Sequence, residues 1–222
     1  MRIFIFLLFQ GLLFLPFQAL ADTSQAEKHG CTGCHRFTQA GSEETQKGPD
    51  LFYAGNKFQK PWLEKFLQQP VVIRKSGYSA DPGFLEGAPT VAEPHPSLPK
   101  QEARTMADYL MSLTLSGLTA VQADEASLTR AEKVRIKILF ERDYGCIACH
   151  EGINLAGQPR GGVSGPSLAG AGNRLNADWV YHWLRTPRKF MTKSRMPLFD
   201  LDEETAGKLT QYIMTLKLGD KK

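Results

Sequence analysis

The chain is poor in cysteine, and no thiol is left over for a structural disulfide. Its 222 residues contain four cysteines. All four belong to two copies of one short pattern, Cys-x-x-Cys-His, at residues 31–35 and 146–150. A disulfide framework is therefore not what holds this fold together.

Strand patterns are also lacking. Nowhere do apolar and polar residues alternate over the length of a strand, whereas apolar residues recur at helical spacing in several stretches. We predict helices at 61–69, 100–115, 177–186 and 202–217. The apolar stripes of the two C-terminal helices are Ala103, Met106, Ala107, Leu110 and Ala206, Leu209, Ile213, Leu216. The sequence therefore predicts an all-α fold.

Several residues mark where these helices begin. Ser24 and Thr129 each open a capping-box pattern, with glutamate three residues later. Asn176 is the expected N-cap of the helix at 177–186. Pro61 suits the first position of its helix, where its missing N–H costs nothing.

Each Cys-x-x-Cys-His pattern is the attachment site of a c-type haem. The two thiols add to the vinyl groups of the haem, and the histidine that follows binds the iron. We therefore predict two covalent c-type haems in one chain. The predicted residues are Cys31, Cys34 and His35 for one haem, and Cys146, Cys149 and His150 for the other.

The formal net charge of +4 does not indicate a nucleic-acid partner. Arg2 lies in a segment that we expect to be removed, and four propionates from two haems would bring the mature protein close to neutral. We therefore predict no nucleic-acid partner and draw no inference about anionic membranes.

Residues 1–21 have the three-part pattern of a secretory signal peptide. Arg2 gives a positive start, residues 3–20 are almost wholly apolar, and Ala19-Leu20-Ala21 is a small-x-small cleavage signal. An uncleaved membrane anchor is the competing interpretation, because the apolar run approaches the ~20 residues that span a bilayer. In both cases the rest of the chain is exported, so we expect a periplasmic location.

The two haem patterns belong to an internal repeat. Residues 48–70 align without a gap with residues 165–187, and nine of the 23 aligned positions are identical. Residues 109–113 and 212–216 match as well. Two copies of one haem domain explain this similarity. The predicted segments are a signal peptide at 1–21, a first domain at 22–117, a linker at 118–127 and a second domain at 128–222.

The order of features in each copy resembles the class I cytochrome c domain. That order is a helix, Cys-x-x-Cys-His, Gly-Pro-x-Leu, a tryptophan helix, a Met-Pro loop and a terminal helix. The resemblance covers nearly all of residues 24–218, twice over, and the plan is similar to that of dihaem cytochromes of the c4 type. It implies two tandem class I cytochrome c domains, each a small helical bundle around one covalently attached haem.

The resemblance also implies roles for residues beside each haem. In the family, the carbonyl of the proline in Gly-Pro-x-Leu accepts a hydrogen bond from the iron-bound histidine, which fixes the ring and its basicity. Pro49 and Pro166 stand at this position. Trp62 and Trp179 match the tryptophan that packs at the haem edge and donates to a propionate. Plain core packing is the alternative for both tryptophans.

In the second repeat, Arg195-Met196-Pro197 stands at the axial-methionine position of the family, so Met196 is the expected sixth ligand. Thioether ligation favours reduced iron and raises the potential. Met191 is a competitor, although no proline follows it.

The first repeat has no methionine between residues 70 and 100. Pro94-His95-Pro96 occupies the matching place, and we infer that His95 is the distal ligand of a bis-histidine haem with a lower potential. The alternatives are a surface His95 beside an open iron, or ligation by Met106, Met111 or His29.

The first repeat also has 16 more residues between its tryptophan helix and His95 than the second repeat has before Met196. The stretch Val71–Glu93 is rich in turn residues. Three interpretations remain open. The stretch is a partner-docking loop, a cover over the bis-histidine haem, or a structural route that presents the imidazole.

A basic run flanks Met196. It is either a solvated face or a docking patch for an acidic redox partner. Its members are Arg185, Arg188, Lys189, Lys193 and Arg195. His182, which aligns with Lys65, is predicted to lie on an exposed helix face and is assigned no function.

These features predict an exported dihaem electron carrier that is not an enzyme. An electron would pass from the His35/His95 haem to the His150/Met196 haem and then to a separate protein. The expected partners are redox proteins, of which a membrane respiratory complex is one option. The alternative is a haem enzyme or its subunit, of the dihaem peroxidase or thiosulfate-oxidising type, with a displaceable ligand at the first haem.

Overall fold

A computed structural model describes residues 23–39, 47–77, 95–118, 120, 128–154, 156–192 and 194–219. The predicted signal peptide, most of the predicted linker and most of the Val71–Glu93 stretch lie outside these residues. Within the described ranges, no helix combines the length and the apolar character needed to cross a membrane.

Helices dominate the described residues, and they follow the same order in both halves of the chain. The first half contains α1 (Ser24–Lys28), a 3-10 turn at Cys31–Gly33, α2 (Ala54–Lys57), α3 (Lys60–Gln68) and α4 (Lys100–Ser112). The second half begins with α5 (Arg130–Ile138), a π-helical turn at Leu139–Asp143 and a 3-10 turn at Cys146–Ala148. It continues with α6 (Ala171–Arg174), α7 (Ala177–Arg185), α8 (Pro187–Phe190) and α9 (Glu203–Met214).

The prediction that the chain has no strand is wrong. Glu151–Ile153 (β1) and Pro159–Gly161 (β2) pair in antiparallel fashion, with Glu151 opposite Gly161. Each strand has three residues, too few to show an alternating pattern. The hairpin follows His150 directly, so it packs beside one of the predicted haem sites.

The helix starts agree only in part with the sequence pattern. Thr129 caps α5 with the predicted capping box, in which Glu132 bonds back to the Thr129 backbone. At α1 the prediction is wrong, because Thr23 holds the N-cap and no side chain caps the helix. Pro61 is the second residue of α3, and not the first.

The predicted apolar stripes form the core of each half. All eight stripe residues are buried, because α4 packs against α3 and α9 packs against α7. The same backbone bonds recur in the two halves. The Gly55 N–H donates to the Leu113 carbonyl at 2.9 Å, and the Gly172 N–H donates to the Leu216 carbonyl at 3.2 Å.

The two halves touch through the residues that follow α2 and α6. Phe58 and Leu175 form an isolated antiparallel bridge. The Gln59 N–H donates to the Arg174 carbonyl, and the Asn176 N–H donates to the Lys57 carbonyl, both at 2.9 Å. Because the aligned positions of the repeat differ by 117, exchanging the halves converts each of these bonds into the other. The contact therefore has local two-fold character.

Side-chain amides strengthen this contact. The Gln59 amide donates to the carbonyls of Gly172 and Leu175 at 3.1 and 2.7 Å. Asn176 holds the predicted N-cap position of α7, but its side chain makes no capping bond. Its amide instead donates across the contact, to the carbonyls of Gly55, Asn56 and Phe58. The local sequence predicts only the cap position of Asn176, and it does not show that the side chain bonds to the other half.

Candidate functional site

The histidines of the two Cys-x-x-Cys-His patterns have the same hydrogen bond. His35 Nδ1 lies 2.7 Å from the Pro49 carbonyl oxygen, and His150 Nδ1 lies 2.7 Å from the Pro166 carbonyl oxygen. A carbonyl only accepts, so Nδ1 carries the proton in each ring. The lone pair of Nε2 is therefore the one that can bind a metal.

Burial keeps both histidines neutral. Loss of solvent lowers the pKa of His35 and of His150 below the ordinary value of 6.5, and the bond to the proline carbonyl offsets this only in part. A neutral imidazole is the form that ligates metals. Both rings are thus in a state suited to iron at neutral pH.

The glycine of each Gly-Pro-x-Leu pattern gives its histidine room. A methyl group on Gly48 would lie 2.2 Å from His35 Cε1, and one on Gly165 would lie 2.5 Å from His150 Cε1. No carbon tolerates such a contact, so any side chain at either position would displace the ring. In this pattern the glycine leaves room for the histidine ring, and the proline carbonyl accepts the hydrogen bond from the ring.

The four cysteines form no disulfide and lie at equivalent places in the two halves. Cys31 and Cys146 are half-buried, while Cys34 and Cys149 are exposed. Burial raises the pKa of Cys31, and it raises the pKa of Cys146 to about 11. In both copies the histidine N–H donates to the carbonyl of the first cysteine at 3.0 Å, which closes the turn that carries the pattern.

His95 lies across from His35. The centroids of the two rings are 6.0 Å apart, with 50° between their planes. His95 Nδ1 donates to the Pro96 carbonyl at 2.8 Å, so its Nε2 is also available. An iron held by two imidazoles separates their centroids by roughly 6 Å, since each metal–nitrogen bond is about 2 Å. The spacing of this pair therefore fits an iron between the rings.

The other residues considered for this ligand have different surroundings. Met106 is 2 % exposed and lies on the buried face of α4. Met111 is half-buried near the end of the same helix. His29 Nε2 is 3.3 Å from a carboxylate oxygen of Glu102. Of the four, His95 is the residue whose ring stands in contact with His35.

Trp183 is a site residue that the sequence did not reveal. Its Nε1–H donates to Met196 Sδ at 3.0 Å. The aligned residue of the first half is Phe66, whose ring centroid lies 5.2 Å from that of His95. One position of the tryptophan helix thus touches the predicted distal ligand in both halves. The available signal was its place one turn after Trp179, on the same face of α7.

The two tryptophans at aligned positions of the repeat, Trp62 and Trp179, lie in aromatic stacks. Trp62 is half-buried and stacks on Phe58 and Phe66. Trp179 is 6 % exposed and stacks on Tyr53 and on Trp183. Within the described part of the chain, Trp179 Nε1 is buried without a hydrogen-bond acceptor. This donor fits a haem carboxylate, while the stacking fits core packing, so both interpretations stand.

The start of the Val71–Glu93 stretch packs on the second half. The Ser167 N–H donates to the Ile73 carbonyl at 2.7 Å. Arg74 donates to the Ser164 carbonyl at 2.6 Å, and Lys75 pairs with Glu151 at 2.5 Å. These contacts involve residues next to Pro166 and His150, so they connect the first half of the chain to the His150 site. The three interpretations of the stretch concern residues that are mostly outside the described ranges.

The basic run beside Met196 is only partly exposed. Arg188 and Lys189 are exposed, whereas Arg185 donates to Tyr181 and to Glu203, at 3.1 Å each. Lys193 lies outside the described residues. The aligned Lys65 is exposed, but His182 is half-buried, so the prediction that His182 lies on an exposed helix face is only partly confirmed.

A comparison with known protein families finds a match over part of the chain. The family model described as Cytochrome c matches residues 21–114. The match spans less than half of the chain and supports a class I cytochrome c domain there. Such a domain implies a covalently bound c-type haem and a general role in haem electron transfer. No curated protein and no solved structure matches the chain.

Proposed function

We propose that the protein is an exported dihaem c-type cytochrome that passes single electrons between redox partners. One haem is attached at Cys31 and Cys34, the other at Cys146 and Cys149. When bound, each haem supplies reversible one-electron chemistry at its iron. The observation that carries the proposal is the placement of the His95 ring 6.0 Å from the His35 ring, between centroids, in the half whose ligand loop has no methionine.

The second haem domain is proposed from the agreement between the halves. Both have a Cys-x-x-Cys-His turn, a histidine bonded to a proline carbonyl at 2.7 Å, and a terminal helix packed on a tryptophan helix. The glycine before each proline is in the same close contact with its histidine. Side chains that serve one haem in residues 21–114 therefore have counterparts in the second half.

Differences between the distal ligands set the direction of transfer. The imidazole of His95 is a better donor to oxidised iron than a thioether, so it stabilises the oxidised state of its haem. The thioether of Met196 stabilises the reduced state. The hydrogen bond from Trp183 withdraws further electron density from the Met196 sulfur. Electrons thus flow from the His35/His95 site to the His150/Met196 site.

The proposed location is the periplasm, because residues 1–21 have the pattern of a secretory signal. The partners are a reduced donor protein and an oxidised acceptor protein, and a membrane respiratory complex can fill either role. Arg188 and Lys189 are exposed near the second site and would favour an acceptor with an acidic docking surface.

Optical and magnetic spectra of the oxidised protein test the ligand assignment. The weak absorption band of the methionine-to-iron bond should account for one haem of the two. Met196→Ala should abolish it, and the matched control Met191→Ala should keep it. His95→Ala should leave this band in place and change the signal of the other haem. Two methionine-ligated haems in the wild type would refute the assignment.

Carbon monoxide separates the carrier from a haem enzyme. If His95 and Met196 held the two irons, no position would be open to a further ligand, so the reduced protein should bind carbon monoxide slowly. His95→Ala should bind it rapidly at one haem. Rapid binding by the wild type would favour the alternative of an enzyme, or an enzyme subunit, with a displaceable ligand.

A further inference from the structure

One backbone hydrogen bond joins the histidine segment to the proline turn in both halves. The N–H of Leu51 donates to the carbonyl of Arg36 at 2.8 Å, and the N–H of Leu168 donates to the carbonyl of Glu151, also at 2.8 Å. Arg36 and Glu151 are the residues that directly follow the two predicted iron-binding histidines. The two junctions are therefore equivalent in their backbone.

In the first half, a side-chain ion pair spans this junction as well. Asp50 directly follows Pro49, and its two carboxylate oxygens accept from Arg36, at 2.7 Å each. The side chain of Asp50 is fully buried, and that of Arg36 is 14 % exposed. A bidentate pair of this kind fixes both the distance and the orientation of its partners. The first half thus holds its own proline turn in place.

The second half cannot form the same pair. The corresponding residues are Glu151 and Ser167, which are an acid and a neutral hydroxyl. The side chain of Glu151 is 10 % exposed, and a carboxylate with so little solvent is costly unless a cation pairs with it. That cation comes from the first half, because Lys75 Nζ lies 2.5 Å from Glu151 Oε1.

Two neighbouring residues of the first half bond to the turn itself. Arg74 donates to the Ser164 carbonyl at 2.6 Å, and the Ile73 carbonyl accepts from the Ser167 N–H at 2.7 Å. Ser164 and Ser167 stand on either side of the glycine and the proline of the turn. The first half therefore holds both sides of Pro166, whose carbonyl accepts the bond from the histidine ring.

We propose that residues 73–75 form a strap by which the first half holds the proline turn behind His150, in place of an internal pair like Arg36–Asp50. Lys75 is then a positioning residue for the second site. The expected effect on a haem rests on the dihaem function proposed above, whereas the effect on the turn does not. The second site depends on the first half for its geometry, and the first site holds its own turn.

Hydrogen exchange of the holoprotein tests the strap directly. Lys75→Ala should speed exchange of the Ser167 and Leu168 amides by about two- to fivefold, the range expected for a partly exposed ion pair, because the turn opens more often. The Leu51 amide is the internal control and should not change. Lys75→Arg, which retains the charge, should exchange like the wild type. Lys60→Ala removes a surface lysine that also pairs with an acid, and it should change none of these amides.

Unchanged exchange at Ser167 and Leu168 would overturn the proposal. Equal acceleration at Leu51 would overturn it too, because that result means a general loss of stability. A graft tests the replacement itself. Adding Glu151→Arg and Ser167→Asp to Lys75→Ala installs the pair of the first half and should restore slow exchange at Leu168. Exchange as fast as in Lys75→Ala would contradict the replacement, and if the graft does not fold, the single variants decide.

The magnetic spectrum of the oxidised protein tests the positioning role. The orientation of an iron-bound histidine depends on the acceptor of its other ring nitrogen, so Lys75→Ala should change the signal of the His150/Met196 haem. The signal of the His35/His95 haem should stay as in the wild type, and a change in both signals or in neither would overturn the positioning role. Mass spectrometry counts the haems. A wild type with one haem would refute the dihaem function, while the exchange rates would still decide on the strap.

Discussion

At the scale of single residues, we expect Trp183 to tune the predicted iron ligand Met196. Its N–H donates to the sulfur that would bind the iron, and this withdrawal of electron density disfavours oxidised iron. Trp183→Phe installs the residue type found at the aligned position 66. It should lower the higher of the two potentials by tens of millivolts, since a net hydrogen bond of about 0.5–1 kcal/mol corresponds to that range for one electron.

Spectroelectrochemistry measures this shift. Tyr181→Phe is the control, because Tyr181 lies on the same helix but bonds to Arg185 at 3.1 Å. The lower potential should be unchanged in both variants. A shift of the lower potential with Trp183→Phe, or none at all, would show that Trp183 does not act through Met196.

Position 165 is a second place where the structure requires one residue type, glycine. Ala at this position would put a methyl group 2.5 Å from His150 Cε1, so Gly165→Ala should displace the ring and weaken the Met196 band in the spectrum. Gly207→Ala is the matched control, since no atom of the described residues lies within 4 Å of a methyl group there. In the middle of α9 it should stabilise the protein by about 0.5–1 kcal/mol. Normal spectra for Gly165→Ala would contradict the role given to this glycine.

At the scale of elements, Asp202 caps α9. Its carboxylate accepts from the Thr205 N–H at 2.6 Å, and this bond lowers the pKa of Asp202 below its usual value. A lowered pKa means that the cap stabilises the fold above the ordinary pKa of about 4, and that this contribution is lost as the pH falls through the lowered value.

Asp202→Ala should therefore lower the midpoint of guanidinium unfolding at pH 7, and the difference from wild type should shrink below about pH 4. Asp202→Asn provides the comparison, because its side-chain oxygen still caps the helix but does not titrate in this range. A difference between wild type and Asp202→Ala that persists unchanged to pH 2 would contradict a role for the charged carboxylate.

The helices and their buried faces could be predicted from sequence, and some local features could not. The stripes of α4 and α9 follow from a period of 3.6, which depends only on residue order. The β1–β2 pair has three residues in each strand and carries no period. Asn176 looks like a cap from its neighbours, yet its amide bonds to a segment about 120 residues away, and such a partner is not visible locally.

The residues of the candidate site also fall into those that the sequence predicts and those that it does not. His35, His150 and their proline acceptors follow from short patterns, because the backbone brings them together within 16 residues. His95 was inferred from an alignment of the halves, and the structure places its ring opposite His35. The sequence places Trp183 one turn after Trp179, but its contact with Met196 joins separate elements, so its role required the folded chain.

At the scale of the whole molecule, we expect the contact between the halves to contribute to the stability of the fold. The amide of Asn176 donates to three carbonyls of the first half. Asn176→Ala leaves these acceptors without that donor, so it should reduce the free energy of unfolding by about 1–3 kcal/mol. Calorimetry of the holoprotein measures the loss, with the surface substitution Gln101→Ala as the control. Equal stabilities of the two variants would show that the halves do not depend on this contact.

In the proposed function, the difference between the two distal ligands, His95 and Met196, sets the direction of electron transfer. The most direct measurement is a potentiometric titration that follows the two haems separately, in wild type, His95→Met and Met196→His. Two one-electron steps are expected, with the lower step at the His35/His95 haem. His95→Met should raise the lower step, and Met196→His should bring the upper step down towards it. A lower potential at the methionine-ligated haem, or a single two-electron step unchanged by either substitution, would contradict the proposed direction.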